Sequence, residues 1–274
     1  MQKTSGVLLW MKNLKRSLIS NPIRKLISGF AVIALVSCTG NKGENSIDFS
    51  YEMKTIRVES EGCSNEDQPC TSFEVTYPVF LHLAPEISKT LLEKIENAIG
   101  YDNPEAEGFS IEKMGNRLVS DFKKFQGDFS ENGFGWYFKA SVDVQFATDS
   151  LLSLAATSEY FTGGAHGGYT VYFVNIDPIS GEEITLHSLL KPGFEELLNL
   201  EGEKSFRQVK GLNENDTLAL HGYEFPQGKF EVNSNYGFNK EGIVFFFNNY
   251  EIASYAVGPT EILIPWEVVA TLRK

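Results

Sequence analysis

The sequence has few of the residues and motifs that build common catalytic and metal sites. Only three cysteines and four histidines occur among its 274 residues. The histidines do not form HxH or HExxH, which excludes a zinc site whose ligands are close together in the sequence. No serine lies in a GxSxG motif, so the nucleophile elbow of the α/β-hydrolases is absent. Because 36 residues are acidic, a glycan-acting enzyme that uses two carboxylates stays open.

The apolar run near the N-terminus, Phe30–Val36, is too short to span a bilayer core of about 30 Å as a helix. It ends in Leu-Val-Ser-Cys at Cys38, which resembles a bacterial lipobox. A basic stretch without acidic residues precedes it, containing Lys12, Lys15, Arg16, Arg24 and Lys25. This order predicts a lipoprotein signal peptide at residues 1–37 and acylation of Cys38. Residues 38–46 would then be a polar tether.

The predicted mature chain is exported and anchored by lipid in the cell envelope. Thr39 is not an inner-membrane retention signal, which favours the outer membrane. Loss of residues 1–37 leaves 18 basic against 36 acidic residues, a net charge of −18 compared with −12 for the whole chain. Such a charge disfavours nucleic acids and anionic lipid surfaces as partners. It is typical of proteins that bind cationic partners. It is also typical of exported proteins whose surface charge keeps them soluble.

The remaining cysteines, Cys63 and Cys70, flank the polar, turn-rich sequence SNEDQP. In an exported protein this spacing predicts a disulfide that closes the end of a hairpin, worth about 2–3 kcal/mol. A metal site is disfavoured because no histidine lies nearby in the sequence. The apolar residues alternate with polar ones on both sides of this insert, which predicts the two strands of the hairpin.

The hydrophobic pattern indicates an α+β fold, with an antiparallel meander and a few packed helices. Apolar residues spaced three and four apart predict helices over 86–99 and 110–126, and 192–209 is predicted to be helical too. Alternating or continuous apolar residues predict strands over 136–146, 151–161, 169–177, 182–187, 228–233, 243–248 and 260–264.

The stretch TGGAHGG, from Thr162 to Gly168, lies between two predicted strands. It matches neither the P-loop nor the Rossmann fingerprint, because a strand and not a helix follows it. Its glycines suit a bulged or wide strand connection. His166 is then either a packed loop residue or a ligand contact. The ligand-contact hypothesis comprises Glu159, Tyr160, Gly163, Gly164, His166, Gly167 and Tyr169.

Two stretches of the C-terminal half resemble the C-terminal domain of RsiV-type anti-sigma factors. They are YFTGGAHGGYTVYFVNIDPISGEEITLHSLL and FFFNNYEIASYAVGPTEILIPWEVV. They share the glycine–histidine loop, the strand with Asp177 and Gly181 at its turn, and the run from Tyr250 to Thr260. Region 47–150 is similar to the non-catalytic domain that precedes this one in those proteins and in the peptidoglycan deacetylase PdaC. We therefore expect a PdaC-like region at 47–150 and an RsiV-type domain at 151–274.

The resemblance implies an extracytoplasmic module that binds lysozyme in RsiV-type proteins and accompanies a separate catalytic domain in the deacetylases. This sequence has no sigma-binding segment or membrane span before Cys38, and it lacks the Asp-Asp pair and HxxxH of the deacetylases. We expect a non-catalytic, lipid-anchored binding module without metal or cofactor. Its ligand would be a cationic, lysozyme-like protein or peptidoglycan. The alternative is a glycan-acting enzyme that uses carboxylates such as Glu159 or Asp177.

Overall fold

The protein is described by a computed structural model that covers residues 46–61, 63, 70–100, 110–128 and 135–274. The predicted signal peptide, Cys38 and nearly all of the predicted tether lie outside these residues. The described chain forms eight strands and five α-helices, which confirms the predicted α+β class. None of the described helices is both long and apolar enough to cross a bilayer.

The predicted hairpin is formed by β1 (Tyr51–Glu59) and β2 (Ser72–Phe80), which pair antiparallel. A disulfide joins Cys63 and Cys70 at its turn, as the spacing predicts. Phe73, Val75 and Tyr77 of β2 are buried, and the residues between them face the opposite side of the sheet. The hairpin therefore gives the sheet one apolar face and one polar face.

The two predicted helices are α1 (Pro85–Ile99) and α2 (Ile111–Asp128), and both pack on the apolar face. Pro85 occupies the first turn of α1, and Gly100 ends this helix with a φ of 70°. The buried carboxylate of Glu96 on α1 accepts a hydrogen bond of 3.2 Å from the backbone N–H of Ile111. This contact satisfies one of the free N–H groups at the start of α2.

After the helices, β3 (Tyr137–Thr148) pairs in parallel with β2, a crossover that the strand pattern did not predict. The antiparallel meander then follows as predicted, with β4 (Leu151–Phe161) and β5 (Gly168–Ile176). The five strands form one sheet in the order β1-β2-β3-β4-β5. The predicted division at residue 150 coincides with the turn between β3 and β4, two neighbouring strands of this sheet.

The C-terminal part contains α3 (Leu186–Leu189), α4 (Phe194–Lys210) and a three-stranded antiparallel sheet that α5 (Trp266–Leu272) follows. The strands of this sheet are β6 (Tyr236–Phe238), β7 (Gly242–Phe247) and β8 (Thr260–Pro265). The predicted helix at 192–209 and the strands at 243–248 and 260–264 are confirmed to within two residues at each end.

Two predicted strands are wrong. Over 182–187 only Glu183 bridges to β5, and then Thr185 and Ser188 form a capping box that starts α3. Over 228–233 the chain completes a 3₁₀ turn at Gly228 and then pairs with no strand among the described residues. Its apolar residues Phe230 and Val232 instead pack on α4 at Gly202, where an added Cβ would lie 2.9 Å from each side chain.

Asparagine side chains link the two sheets along the edge strand β5. The amide of Asn235 donates to the carbonyl oxygens of Val171 at 2.8 Å and Phe246 at 2.9 Å, and its oxygen accepts from the N–H of Phe173. Asn248 bonds both the N–H and the carbonyl of Val171. Backbone groups on the outer edge of β5, which would otherwise lack a neighbouring strand, are thus hydrogen-bonded to asparagine side chains.

Candidate functional site

The loop between β4 and β5 is shaped by glycines for two different reasons. Gly163 and Gly164 have a φ of 92°, a backbone region that favours glycine. At Gly167 an added Cβ would lie 2.7 Å from the carbonyl oxygen of Tyr160, and at Gly168 it would lie 2.1 Å from the Tyr160 ring. Side chains at the last two positions would therefore displace Tyr160, so the loop closes only with glycine there.

His166 at the tip of this loop contacts two tyrosines from the C-terminal part of the chain. Its ring stacks on that of Tyr255 with a centroid distance of 3.7 Å and an interplanar angle of 16°. Its Nε2 lies 3.1 Å from the hydroxyl of Tyr250, and its Nδ1 lies 3.0 Å from the carbonyl oxygen of Gly167. The Tyr255 hydroxyl donates to the same carbonyl at 3.0 Å.

The turn that carries Tyr250 is held in a strained conformation. Tyr250 has a φ of 67°, which is uncommon for a residue with a bulky side chain. Glu251 fixes the turn, because its carboxylate accepts from the N–H of Asn248 at 2.8 Å and from the side chain of Asn233 at 2.6 Å. The Tyr250 side chain nevertheless remains 64% exposed. An exposed aromatic ring on a strained, buttressed turn is typical of a functional contact.

We call His166, Tyr250 and Tyr255 the loop-end cluster. It joins a sequence-predicted residue to two tyrosines that were not in the predicted ligand-contact set. Tyr250 and Tyr255 lie more than eighty positions further along the chain, and only the YEIASYAVGPT stretch quoted for the family resemblance pointed to them. The cluster is built from both sheets, so it depends on their packing together.

The other residues of the predicted ligand-contact set separate onto the two faces of the large sheet. Tyr160 packs against the helix-bearing core and stacks on Phe138 at 6.1 Å. Glu159 and Tyr169 are cross-strand partners on the opposite face. Burial, together with the charges of Glu159 and Glu261, raises the pKa of Tyr169 to about 12. The Tyr169 hydroxyl therefore stays neutral at physiological pH.

The two carboxylates named for glycan chemistry are far apart. Glu159 pairs with Tyr169 near the start of β5, whereas Asp177 follows the end of this strand. Eight residues of extended chain span roughly 27 Å, compared with the 10 Å or less that a carboxylate pair needs to act on one glycosidic bond. Asp177 accepts hydrogen bonds from the N–H groups of Ile179 and Ser180 and thereby stabilises a turn. In the described ranges no three histidine, cysteine or acidic side chains are grouped to hold a metal ion.

Comparisons with known proteins place two family regions on this fold. Residues 64–169 match the family described as deacetylase PdaC, and residues 187–267 match DUF3298, a protein of unknown function. No curated protein matches the chain.

Two solved structures share the fold. A member of the DUF3298 family from Bacteroides fragilis has a TM-score of 0.61 and 22% identity, and covers 82% of this chain and 94% of its own. A DUF3298 family protein from Pseudomonas aeruginosa PAO1 has a TM-score of 0.57 and 19% identity. It also covers 82% of this chain and 94% of its own. The similarity to anti-sigma factors stays a prediction. The chain thus contains a PdaC-like region followed by a DUF3298-like region, in a fold already seen for DUF3298 proteins.

Proposed function

We propose that this chain is a non-catalytic cell-envelope protein, anchored through acylated Cys38, whose loop-end cluster binds a cationic protein. The observation that carries the proposal is the mutual contact of His166, Tyr250 and Tyr255, whose ring centroids lie 3.7–6.3 Å apart. Tyrosine is enriched at the energetic centres of protein interfaces because it supplies a large, rigid contact area and a polar tip. Here two tyrosines are already held in position in the absence of a partner.

The charge of the chain supports a cationic partner. A net charge of −18 after residue 37 produces a field that attracts basic proteins over distances of about a Debye length. Close to the cluster, Glu251 lies next to Tyr250 and is exposed. The resemblance to RsiV-type proteins suggests lysozyme as the first basic protein to test. Attraction of this kind increases the association rate and weakens as salt is added.

The test is capture of lysozyme by the full chain immobilised in detergent, at low and at physiological ionic strength. We expect binding that decreases with salt, and a loss of at least tenfold in affinity for His166→Ala. The matched control is His82→Ala, which removes an exposed histidine that lies 3.7 Å from Asp48, outside the loop-end cluster. No binding of lysozyme even at low salt, or equal loss in both variants, would contradict the proposal.

The anchor is tested separately. Metabolic labelling with a fatty acid should mark the wild-type protein and not Cys38→Ser, and the variant should leave the membrane fraction. A single acyl chain gives only weak membrane binding, whereas the several chains of a lipoprotein give a durable anchor. Labelled Cys38→Ser protein would contradict acylation at this position without bearing on the loop-end cluster.

A further inference from the structure

A row of charged side chains crosses the polar face of the large sheet, away from α1 and α2. Arg57 on β1 is the cross-strand partner of Glu74 on β2, and Glu74 is the partner of Lys139 on β3. Lys139 in turn is the partner of Glu159 on β4. Positive and negative groups therefore alternate over four neighbouring strands. Opposite charges in directly facing positions stabilise strand pairing.

The centre of this row is a carboxylate held between two cations. Arg57 forms an ion pair with Glu74, and the Lys139 ammonium lies 3.7 Å from the other carboxylate oxygen. The hydrogen bond from Arg57 lowers the pKa of the Glu74 carboxyl, so this group stays ionised. Arg57 also lies 3.9 Å from Glu59. Arg57 and Lys139 thus balance the charges of Glu59 and Glu74, and Glu159 leaves the whole row with one net negative charge.

An exposed aromatic ring stands beside this network. Tyr137 lies two residues before Lys139 on the same face of β3, and 42% of its surface is exposed. It stacks on its cross-strand partner Phe161 with a centroid distance of 6.5 Å and an interplanar angle of 27°. Tyr137 and the charged groups line one shallow depression of about 280 Å³, together with Ser72. Its volume lies just below the range of ligand pockets in proteins, which begins at about 300 Å³.

We propose that this depression is a binding site for an uncharged oligosaccharide. Sugar hydroxyls donate to carboxylates and accept from guanidinium and ammonium groups, so a neutral polyol can satisfy both kinds of group in the network. The apolar face of a sugar ring can lie against the flat ring of Tyr137. The balanced charges give no attraction for a strongly charged ligand.

This site uses other side chains than the loop-end cluster and does not need the proposed protein ligand, but it lies close by, since a Cβ at Gly167 would be 3.7 Å from the Tyr137 hydroxyl. Its residues come from β1, β2 and β3, within or just before the PdaC-like region, whereas Tyr250 and Tyr255 belong to the DUF3298-like region. A protein that failed to bind lysozyme could still bind the oligosaccharide, and the reverse also holds. The two experiments therefore fail separately.

The test uses the full chain in a detergent without a sugar headgroup, titrated with chitotetraose and with cellotetraose, two neutral oligosaccharides. We expect saturable binding of at least one of them. Tyr137→Ala should weaken it at least tenfold, Tyr137→Phe should retain it, and Glu74→Gln should weaken it several-fold because two cations then lose their shared partner. His166→Ala should leave it unchanged.

The matched control is Tyr172→Ala. Tyr172 is 41% exposed, almost the same as Tyr137, and it lies near the end of α1 at Gly100 on the helix-bearing side of the sheet. Its loss should not change the affinity for either sugar, and thermal unfolding should show that each variant is folded. Absence of binding to both oligosaccharides, or equal affinities for the folded Tyr137→Ala variant and the wild type, would overturn the proposal.

Discussion

The ring of His166 stacks on the ring of Tyr255 at 3.7 Å, and this contact closes the β4–β5 loop against the C-terminal part of the chain. The loop glycines permit the approach, and the Tyr255 hydroxyl secures it by donating to the carbonyl oxygen of Gly167. The contact connects the meander of the large sheet with the segment that follows β7. It therefore has two consequences, one for stability and one for recognition.

Replacing His166 tests the first consequence. His166→Ala removes an exposed stacked pair, which is worth about 1 kcal/mol beyond the area buried. We expect the melting temperature to fall by roughly 2–4 °C, as for a chain of this size. His166→Phe keeps the stacking but loses the contacts of both ring nitrogens, so it should melt between the wild type and His166→Ala. Calorimetry measures both, and a larger loss in His166→Phe than in His166→Ala would contradict the stacking interpretation.

Substitutions at Tyr250 distinguish the cost of its backbone strain from the role of its ring in binding. Its φ of 67° costs on the order of 1 kcal/mol, which glycine would not pay. Tyr250→Gly should therefore be as stable as the wild type or more stable, whereas Tyr250→Ala keeps the strain and should be less stable than Tyr250→Gly. Both variants should lose affinity for a basic protein because both lack the ring. Chemical denaturation compares their free energies of unfolding, and a destabilised Tyr250→Gly would show that the ring mainly supports the fold.

Asn235 links the two sheets through its side chain. Its side chain makes three hydrogen bonds to backbone groups of Val171, Phe173 and Phe246. Asn235→Leu removes the partner of the Phe173 N–H, whereas the carbonyls of Val171 and Phe246 keep a bond from Asn248 and Asn233. We expect a loss of about 1–2 kcal/mol in the free energy of unfolding. Asn235→Asp should be as damaging, since a carboxylate would face the carbonyl oxygens of Val171 and Phe246.

The control for Asn235 is Asn116→Ala on the exposed side of α2. Among the described residues, the Asn116 side chain donates to the carbonyl of Glu112 one turn earlier. Its loss should change the free energy of unfolding by less than about 0.5 kcal/mol, as at most surface positions. Similar losses at Asn116 and Asn235 in urea titrations would show that the asparagine link contributes little.

Glu96 predicts a pH dependence of stability. Burial raises the pKa of its carboxyl, although the hydrogen bond from Ile111 opposes this effect. The folded state then holds its proton to a higher pH than the unfolded state does. The stability that protonation provides is complete below the unfolded pKa, and it is lost as pH rises from that value through the folded pKa.

Glu96→Gln tests this dependence, because glutamine keeps an oxygen that can accept from Ile111 without carrying a charge. The variant should show a flatter decline in unfolding free energy as pH rises above about 4, and it should gain stability relative to the wild type at neutral pH. Parallel pH profiles for the two proteins would rule out Glu96 as the titrating group.

Local patterns predicted much of the fold because local interactions decide it. The spacing of Ile87, Leu91 and Ile95 specifies α1, and the alternation from Phe138 to Phe146 specifies β3. The three-residue β6 was missed, since it is defined by pairing with β7 and not by its own composition. Around 182–187, the capping box of Thr185 and Ser188 overrode the strand pattern.

The sites were less predictable because they depend on contacts between distant residues. His166 was singled out by the glycines around it, whereas its partners Tyr250 and Tyr255 carry no signal that links them to the loop. The row from Arg57 to Glu159 depends on strand register, which includes the parallel pairing of β2 with β3. No pattern within a single strand contains that register.

The central claim is that the loop-end cluster binds a cationic protein. Calorimetric titration of lysozyme into the full chain and into Tyr250→Gly tests it most directly, because this variant loses the exposed ring and is expected to keep its stability. We predict measurable binding to the wild type that weakens with salt, and binding at least tenfold weaker to Tyr250→Gly at the same low salt. Equal affinities for the two proteins, or no heat of binding to the wild type, would contradict the claim.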